Sequence, residues 1–289
     1  MELPNIFEKP EVSELINLAL VEDLGPINKD VTSDSTVPPE EHAVAHLVAR
    51  EACHLSGVNV AVEVFKRVNP ELDCEILIAD GAAVAAMTTV LVIKGSAQSI
   101  LTAERTALNF IQRMSGVATI TAEYVKIAGN PRVKLLDTRK TTPGHRAFEK
   151  YAVLCGGGTN HRIGLYDAVL IKDNHLASWK KKHGTGVGEC VAAARAKYPG
   201  LKIEVEVDTI DQLKEALTTR PDWVLLDNMP PAVLRECVAL CAGVCRTEAS
   251  GGINLDTIGA IAQTGVDAIS VGALTHSAPS IDLALDFVE

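Results

Sequence analysis

The chain has 289 residues, 47% of them hydrophobic and 22% charged, with a formal net charge of -10. That length can bury a sizeable core in one or two domains. The acidic balance argues against a nucleic-acid polymer, which would demand a broadly basic face. The sequence opens without a signal-peptide pattern, and its longest nearly apolar run, residues 82–93, is too short to span a bilayer. The expectation is therefore a cytoplasmic protein with no nucleic acid and no membrane as partner.

Residues 10–22 set apolar and acidic positions at helical spacing, and Pro10 suits a first turn. The following stretch, LGPINKDVTSDSTVPPE, is rich in Gly, Pro, Asp and Ser and reads as a loop. Strands are expected at 43–50, 73–79 and 89–95, with a helix at 58–68. Strands with few crossover helices describe an α+β domain on an antiparallel sheet. Residues 101–128 then carry the first long helical pattern, with Ala103, Ala107, Leu108, Ile111 and Met114 on one buried stripe. Arg105 lies off that stripe, and Gly116 is expected to break or kink the helix.

After Pro131 the pattern changes to alternating short apolar strands and amphipathic helices. The strands fall at 134–138, 168–172, 202–207, 223–227, 246–249 and 267–271, and the helices at 146–155, 187–198, 210–219, 232–241 and 255–264. Repeated βα units imply a parallel sheet, here an incomplete α/β barrel of six units. Cys237, Cys241 and Cys245 recur every fourth residue, a spacing open to metal ligands. With no histidine or CxxC partner, they read instead as the buried face of a helix over 231–243.

In such barrels the site forms at the C-terminal ends of the strands. Those ends read Asp137-Thr138-Arg139-Lys140, Lys172-Asp173-Asn174-His175, Glu206-Val207-Asp208, Asp227-Asn228, Ser250-Gly251-Gly252 and Gly272, each polar, charged or glycine. The glycines at the last two ends suit a phosphate, because backbone N–H groups can approach its oxygens there. Glu206 and Asp227 end neighbouring strands and can share one Mg²⁺, an ion that takes one or two carboxylates plus substrate phosphate oxygens. The structural alternative is two carboxylates salt-bridged to nearby cations. Those cations belong to a basic island at 135–175 that includes Arg139, Lys140, His161, Arg162, Lys172 and His175. Guanidinium forks bind carboxylates bidentately, so Arg139 and Arg162 suit a dicarboxylate, while Lys140 and Lys172 add point charges suited to phosphate.

The stretches AERTALNFIQRMSGVAT, LLDTRKTTPGHRAFEKYAVLCGGGTNHR, LIKDNH, IEVEVDT, LLDNM, EASGGI and ISVGALTH resemble the quinolinate phosphoribosyltransferase family, and EDLG and DVTSD near the N-terminus match as well. The resemblance implies a sandwich domain at 1–116, a barrel at 117–276 and a segment at 277–289 packing back on the first domain. It implies transfer of phosphoribose from phosphoribosyl diphosphate to quinolinate, with Mg²⁺, loss of diphosphate and CO₂, and formation of nicotinate mononucleotide for NAD biosynthesis. Carried over by motif, Thr138, Arg139, Arg162 and Lys172 hold quinolinate, with His161 beside them. Arg105 enters from the partner of a head-to-tail homodimer, and such dimers can assemble further into a hexamer. Lys140, Glu206, Asp227, Ser250, Gly251, Gly252, Gly272 and His276 hold phosphoribosyl diphosphate, with Glu206 and Asp227 as metal ligands. Lys140, Lys172, Glu206 and Asp227 are the expected catalytic groups. Two other readings remain: a same-fold paralogue of the molybdenum-transport-associated type with another acceptor, and a non-catalytic dicarboxylate-binding protein.

Overall fold

The computed structural model describes residues 3–184 and 186–288. Contacts divide the chain into two units: Met1–Ala122 with Thr141–Gly157 and Leu274–Glu289, and Glu123–Lys140 with Gly158–Ala273. By contacts the division falls inside the long helix, at 122/123. The stretch between the first and second barrel strands also groups with the first unit.

The first unit begins with a 3-10 turn, Ile6–Glu8, and helix α1, Pro10–Leu24, with Pro10 in its first turn. Val12, Ile16 and Leu20 form its buried stripe. Helix α2, Val31–Thr36, occupies part of the stretch expected to be loop. Asp30 starts it by accepting the Thr32 and Ser33 amides at 3.0 and 3.1 Å. Strand β1 (His42–Ala49), the short β2 (Cys53–His54), helix α3 (Val58–Val68), β3 (Asp73–Ile76), β4 (Ala83–Val84) and β5 (Thr88–Ser96) follow. The unit's main sheet has the order β12-β1-β5-β3, where β12 (Leu283–Val288) is the C-terminal strand. All of its pairings are antiparallel. Arg50 fastens β12 with a forked pair to Asp286 at 2.6 and 2.8 Å. Sequence reading placed no strand in this segment.

Helix α4, Ala97–Ala128, is continuous, so Gly116 does not break it. A Cβ at Gly116 would lie 1.8 Å from the Pro279 carbonyl oxygen. The glycine is there for close approach of the C-terminal segment. Helix α5, Arg146–Cys155, completes the unit, with Phe148 and Tyr151 among its buried residues.

The second unit holds six parallel strands: β6 (Lys134–Leu136), β7 (Val169–Ile171), β8 (Ile203–Val207), β9 (Trp223–Asp227), β10 (Arg246–Ser250) and β11 (Ala268–Ser270). Their order is β6-β11-β10-β9-β8-β7, which leaves β6 and β7 as the two ends of an unclosed barrel sheet. Five helices belong to the unit: α6 (Asp173–His183), α7 (Val187–Lys197), α8 (Ile210–Leu217), α9 (Pro231–Cys241) and α10 (Leu255–Ala262). A last short turn of helix, α11 (Ala273–His276), leads back to the first unit. Helix α6 fills residues 173–183, where sequence reading drew no element. Its four basic residues sit in its last turn, where they complement the helix dipole. Cys237 and Cys241 lie buried on α9, and Cys245 lies past its end. The Cys237 thiol contacts the Met229 sulfur at 3.7 Å, so this pair belongs to the packing.

Candidate active site

Parallel strands send all their C-terminal ends to one side, and here those ends enclose a cavity of about 540 Å³. Thr138, Arg139 and Lys140 reach it from the loop after β6, and His161 and Arg162 from the segment before β7. Lys172 follows β7, Glu206 lies on β8, and Asp227 closes β9. Ser250, Gly251 and Gly252 come from the end of β10. Eleven positions singled out in the sequence thus share one wall. Gly272, between β11 and α11, is not among the lining residues. Arg105, exposed on α4, and His276, on α11, belong to the first unit.

One side of the cavity is cationic. Arg162 donates through Nη1 to the Ala168 carbonyl at 3.1 Å, which fixes the guanidinium. Burial pulls its pKa down first, and the neighbouring Arg139 charge adds to that. Arg139 Nε is buried without a hydrogen-bond partner. An unsatisfied buried donor costs about 1–3 kcal/mol. Two guanidiniums that repel one another, one with a free donor, form a receptor for an anion.

The other side is acidic. Asp227 has its carboxyl pushed up by burial and then by the Glu206 charge, while Asn228, Lys172 and Lys140 pull the other way. Lys172 Nζ sits 2.7 Å from Glu206 Oε2, so the sequence alternative of a salt-bridged carboxylate is present in this structure. Asn228 donates to Asp227 Oδ2 at 2.7 Å. Gly251, at φ 92°, passes so close that a Cβ would lie 2.4 Å from Asn228 Oδ1. Only glycine lets the backbone after β10 take that path. Two oxygen donors that raise the cost of each other's charge match a hard divalent cation.

Sequence reasoning missed two carboxylates. His161 Nε2 lies 3.2 Å from Glu204 Oε2 and 3.3 Å from Glu248 Oε2, and both acids are nearly inaccessible at 7% and 1% exposure. The signal was available, because alternate residues of a strand share a face. Glu204 precedes Glu206 by two on β8, and Glu248 precedes Ser250 by two on β10. The three side chains are also the one cluster of metal-ligating type among the described residues, with ligand atoms within 4.8 Å of one another. Yet His161 Nδ1 accepts the Arg162 amide at 2.7 Å. The ring hydrogen therefore sits on Nε2, between the carboxylates, where a cation would have to bind. Burial pushes Glu204 up to about 7. The Asp137 carboxylate fixes the same segment by accepting the His161 amide at 2.8 Å.

The comparisons agree on one family. Residues 30–115 match the model of the quinolinate phosphoribosyl transferase N-terminal domain, and residues 117–286 that of the C-terminal domain. The chain is 41% identical to the nicotinate-nucleotide pyrophosphorylase (carboxylating) of Mycobacterium leprae, covering 94% of this chain and 96% of the relative. It is 39% identical to a probable enzyme of the same name from Bacillus subtilis, over 96% of this chain and 93% of the relative. Among solved structures, NadC from Streptococcus pyogenes superposes with a TM-score of 0.92 at 37% identity and full coverage of both chains. The nicotinate-nucleotide pyrophosphorylase from Francisella tularensis gives 0.90 at 39% identity, over 99% and 98% of the two chains.

Proposed function

The chain belongs to the quinolinate phosphoribosyltransferase family, and on that premise we propose how its cavity divides the work of the reaction. The enzyme joins quinolinate to phosphoribosyl diphosphate and releases diphosphate, CO₂ and nicotinate mononucleotide, a step of NAD biosynthesis. The observation that carries the division is the polarity of the cavity. Arg139, with its unpartnered Nε, and Arg162 face an anion, while Glu206 and Asp227 form a carboxylate pair among lysines and glycine backbone.

Arg139 and Arg162 clamp the two carboxylates of quinolinate, with Thr138 and His161 completing that end. The hydrogen bonds to Glu204 and Glu248 hold the His161 ring still. Lys172, now the counter-ion of Glu206, takes a quinolinate carboxylate once substrates occupy the cavity. Lys140, Ser250, Gly251, Gly252 and Gly272 receive phosphoribosyl diphosphate. Glu206 and Asp227 hold Mg²⁺, which supplies positive charge against the departing diphosphate when bound.

The chemistry needs no side-chain nucleophile. Departure of diphosphate leaves positive charge on the anomeric carbon of ribose, and Lys140 stabilises the leaving oxygens. The guanidinium clamp aims the pyridine nitrogen at that carbon. Once alkylated, the ring nitrogen withdraws electrons. The C2–carboxylate bond then breaks, its pair stays on C2, and a proton replaces CO₂ there.

Arg105 is assigned to the active site of a second copy in a homodimer, which can pair further into a hexamer. Among the described residues no helix is long and apolar enough to cross a membrane. No feature of the cavity favours a paralogue with another acceptor or a silent dicarboxylate binder. Turnover of quinolinate with release of CO₂ is the test.

A further inference from the structure

The first unit contains a buried ion pair that the reaction scheme does not use. Glu149 on α5 is 1% exposed and accepts from Arg113 of α4 at 2.7 Å (Nη2) and 3.3 Å (Nε). The same carboxylate accepts the Thr142 hydroxyl at 2.9 Å and the Thr142 amide at 3.1 Å. Arg113 continues outward, donating through Nη1 to the Ala278 carbonyl at 2.6 Å and through Nη2 to the Thr275 carbonyl. One guanidinium and one carboxylate therefore fasten four chain segments: α4, α5, the start of the 141–145 loop, and 275–278.

Stability alone does not call for this arrangement. A buried ion pair is weak support for a fold, and well-packed apolar groups of similar volume commonly replace it without loss. What the pair does supply is direction, because a forked donor and a planar acceptor fix the segments that meet them. One of those segments adjoins a group assigned to phosphoribosyl diphosphate: Lys140 precedes Thr142 by two residues.

We propose that Arg113 and Glu149 are positioning residues for phosphoribosyl diphosphate: the pair, through the two hydrogen bonds that Glu149 accepts from Thr142, fixes the chain two residues beyond Lys140 and so holds Lys140 in place for the phosphates. The proposal rests on the assignment of Lys140 made under Proposed function.

The test compares four variants of the full-length protein in steady-state kinetics with each substrate varied. Glu149→Gln keeps the volume and an acceptor for Arg113, but turns an N–H toward the Thr142 amide. Thr142→Val removes one hydrogen bond and leaves the ion pair, so it carries the test if Glu149→Gln does not fold. Thr142→Ser restores the hydroxyl. Lys140→Ala probes the underlying assignment. The expected result is a rise in KM for phosphoribosyl diphosphate of about tenfold in Glu149→Gln and about threefold in Thr142→Val, from one or two lost hydrogen bonds. KM for quinolinate should stay within about twofold and kcat within about threefold, and Thr142→Ser should return to the parent value. A purely structural role would move both substrates together and follow the melting temperature. That pattern, or an unchanged KM for phosphoribosyl diphosphate in folded Glu149→Gln and Thr142→Val, overturns the proposal. If Lys140→Ala raises that KM and the other two variants do not, the positioning role alone fails. If Lys140→Ala also leaves it unchanged, the assignment beneath the proposal fails.

Discussion

Glu204 shows how a single residue can oppose stability while serving a site. Burial raises its carboxyl to about 7, well above the roughly 4.3 of an unfolded chain. The folded state then binds its proton more tightly than the unfolded state does. The resulting stabilisation is complete below the unfolded pKa and is lost as pH rises through the folded one. Glutamine at 204 has no such titration. The melting temperature of Glu204→Gln relative to the parent should therefore grow as pH rises above the unfolded carboxyl's pKa of about 4.3. A difference independent of pH, measured by thermal melts above that pH, would contradict the burial argument. At this scale the sequence was partly legible. Arg139, Lys172, Glu206 and Asp227 could be read because their strands end in conspicuous charge, and Arg162 because it belongs to the basic island. Glu204 and Glu248 lie inside strands, where the eye expects apolar residues and passes over a buried acid.

At the scale of elements, periodicity was a good guide where a helix buries a stripe and a poor one elsewhere. Helix α6 has no buried residue at all, so no apolar pattern marks it. Helix α2 is six residues long and is announced by its Asp30 cap rather than by hydrophobic spacing. Strand β12 is defined by pairing with β1, a partner more than 230 residues away, which local pattern does not reveal. Gly116 was misread for a related reason. Its lack of a side chain serves the approach of Pro279 and not a bend in α4. Gly116→Ala separates the two readings. Better helix propensity alone would stabilise the protein by about 1 kcal/mol. A methyl group 1.8 Å from the Pro279 oxygen must instead displace the C-terminal segment. The expected cost is about 3 kcal/mol, or roughly 5 °C or more in melting temperature. A raised melting temperature would remove the close-approach account.

For the whole molecule, the order of elements told of an antiparallel sheet followed by six βα units, and the structure has both. By contacts, the division between units cuts through α4 and takes α5 from between two barrel strands. Assembly extends the argument beyond one chain. If Arg105 completes a neighbour's site, Arg105→Ala and Arg139→Ala chains are each inactive alone but complementary. Random exchange puts half the dimers in mixed form, each with one intact site. Activity should recover to about a quarter of the parent value. No recovery after verified exchange would contradict a shared site. The most direct test of the central claim uses quinolinate labelled with ¹³C in its 2-carboxylate, together with phosphoribosyl diphosphate and Mg²⁺. The account predicts label released as CO₂, in step with unlabelled nicotinate mononucleotide, and no use of nicotinate in place of quinolinate. Use of nicotinate with quinolinate ignored, or turnover of neither, would contradict it.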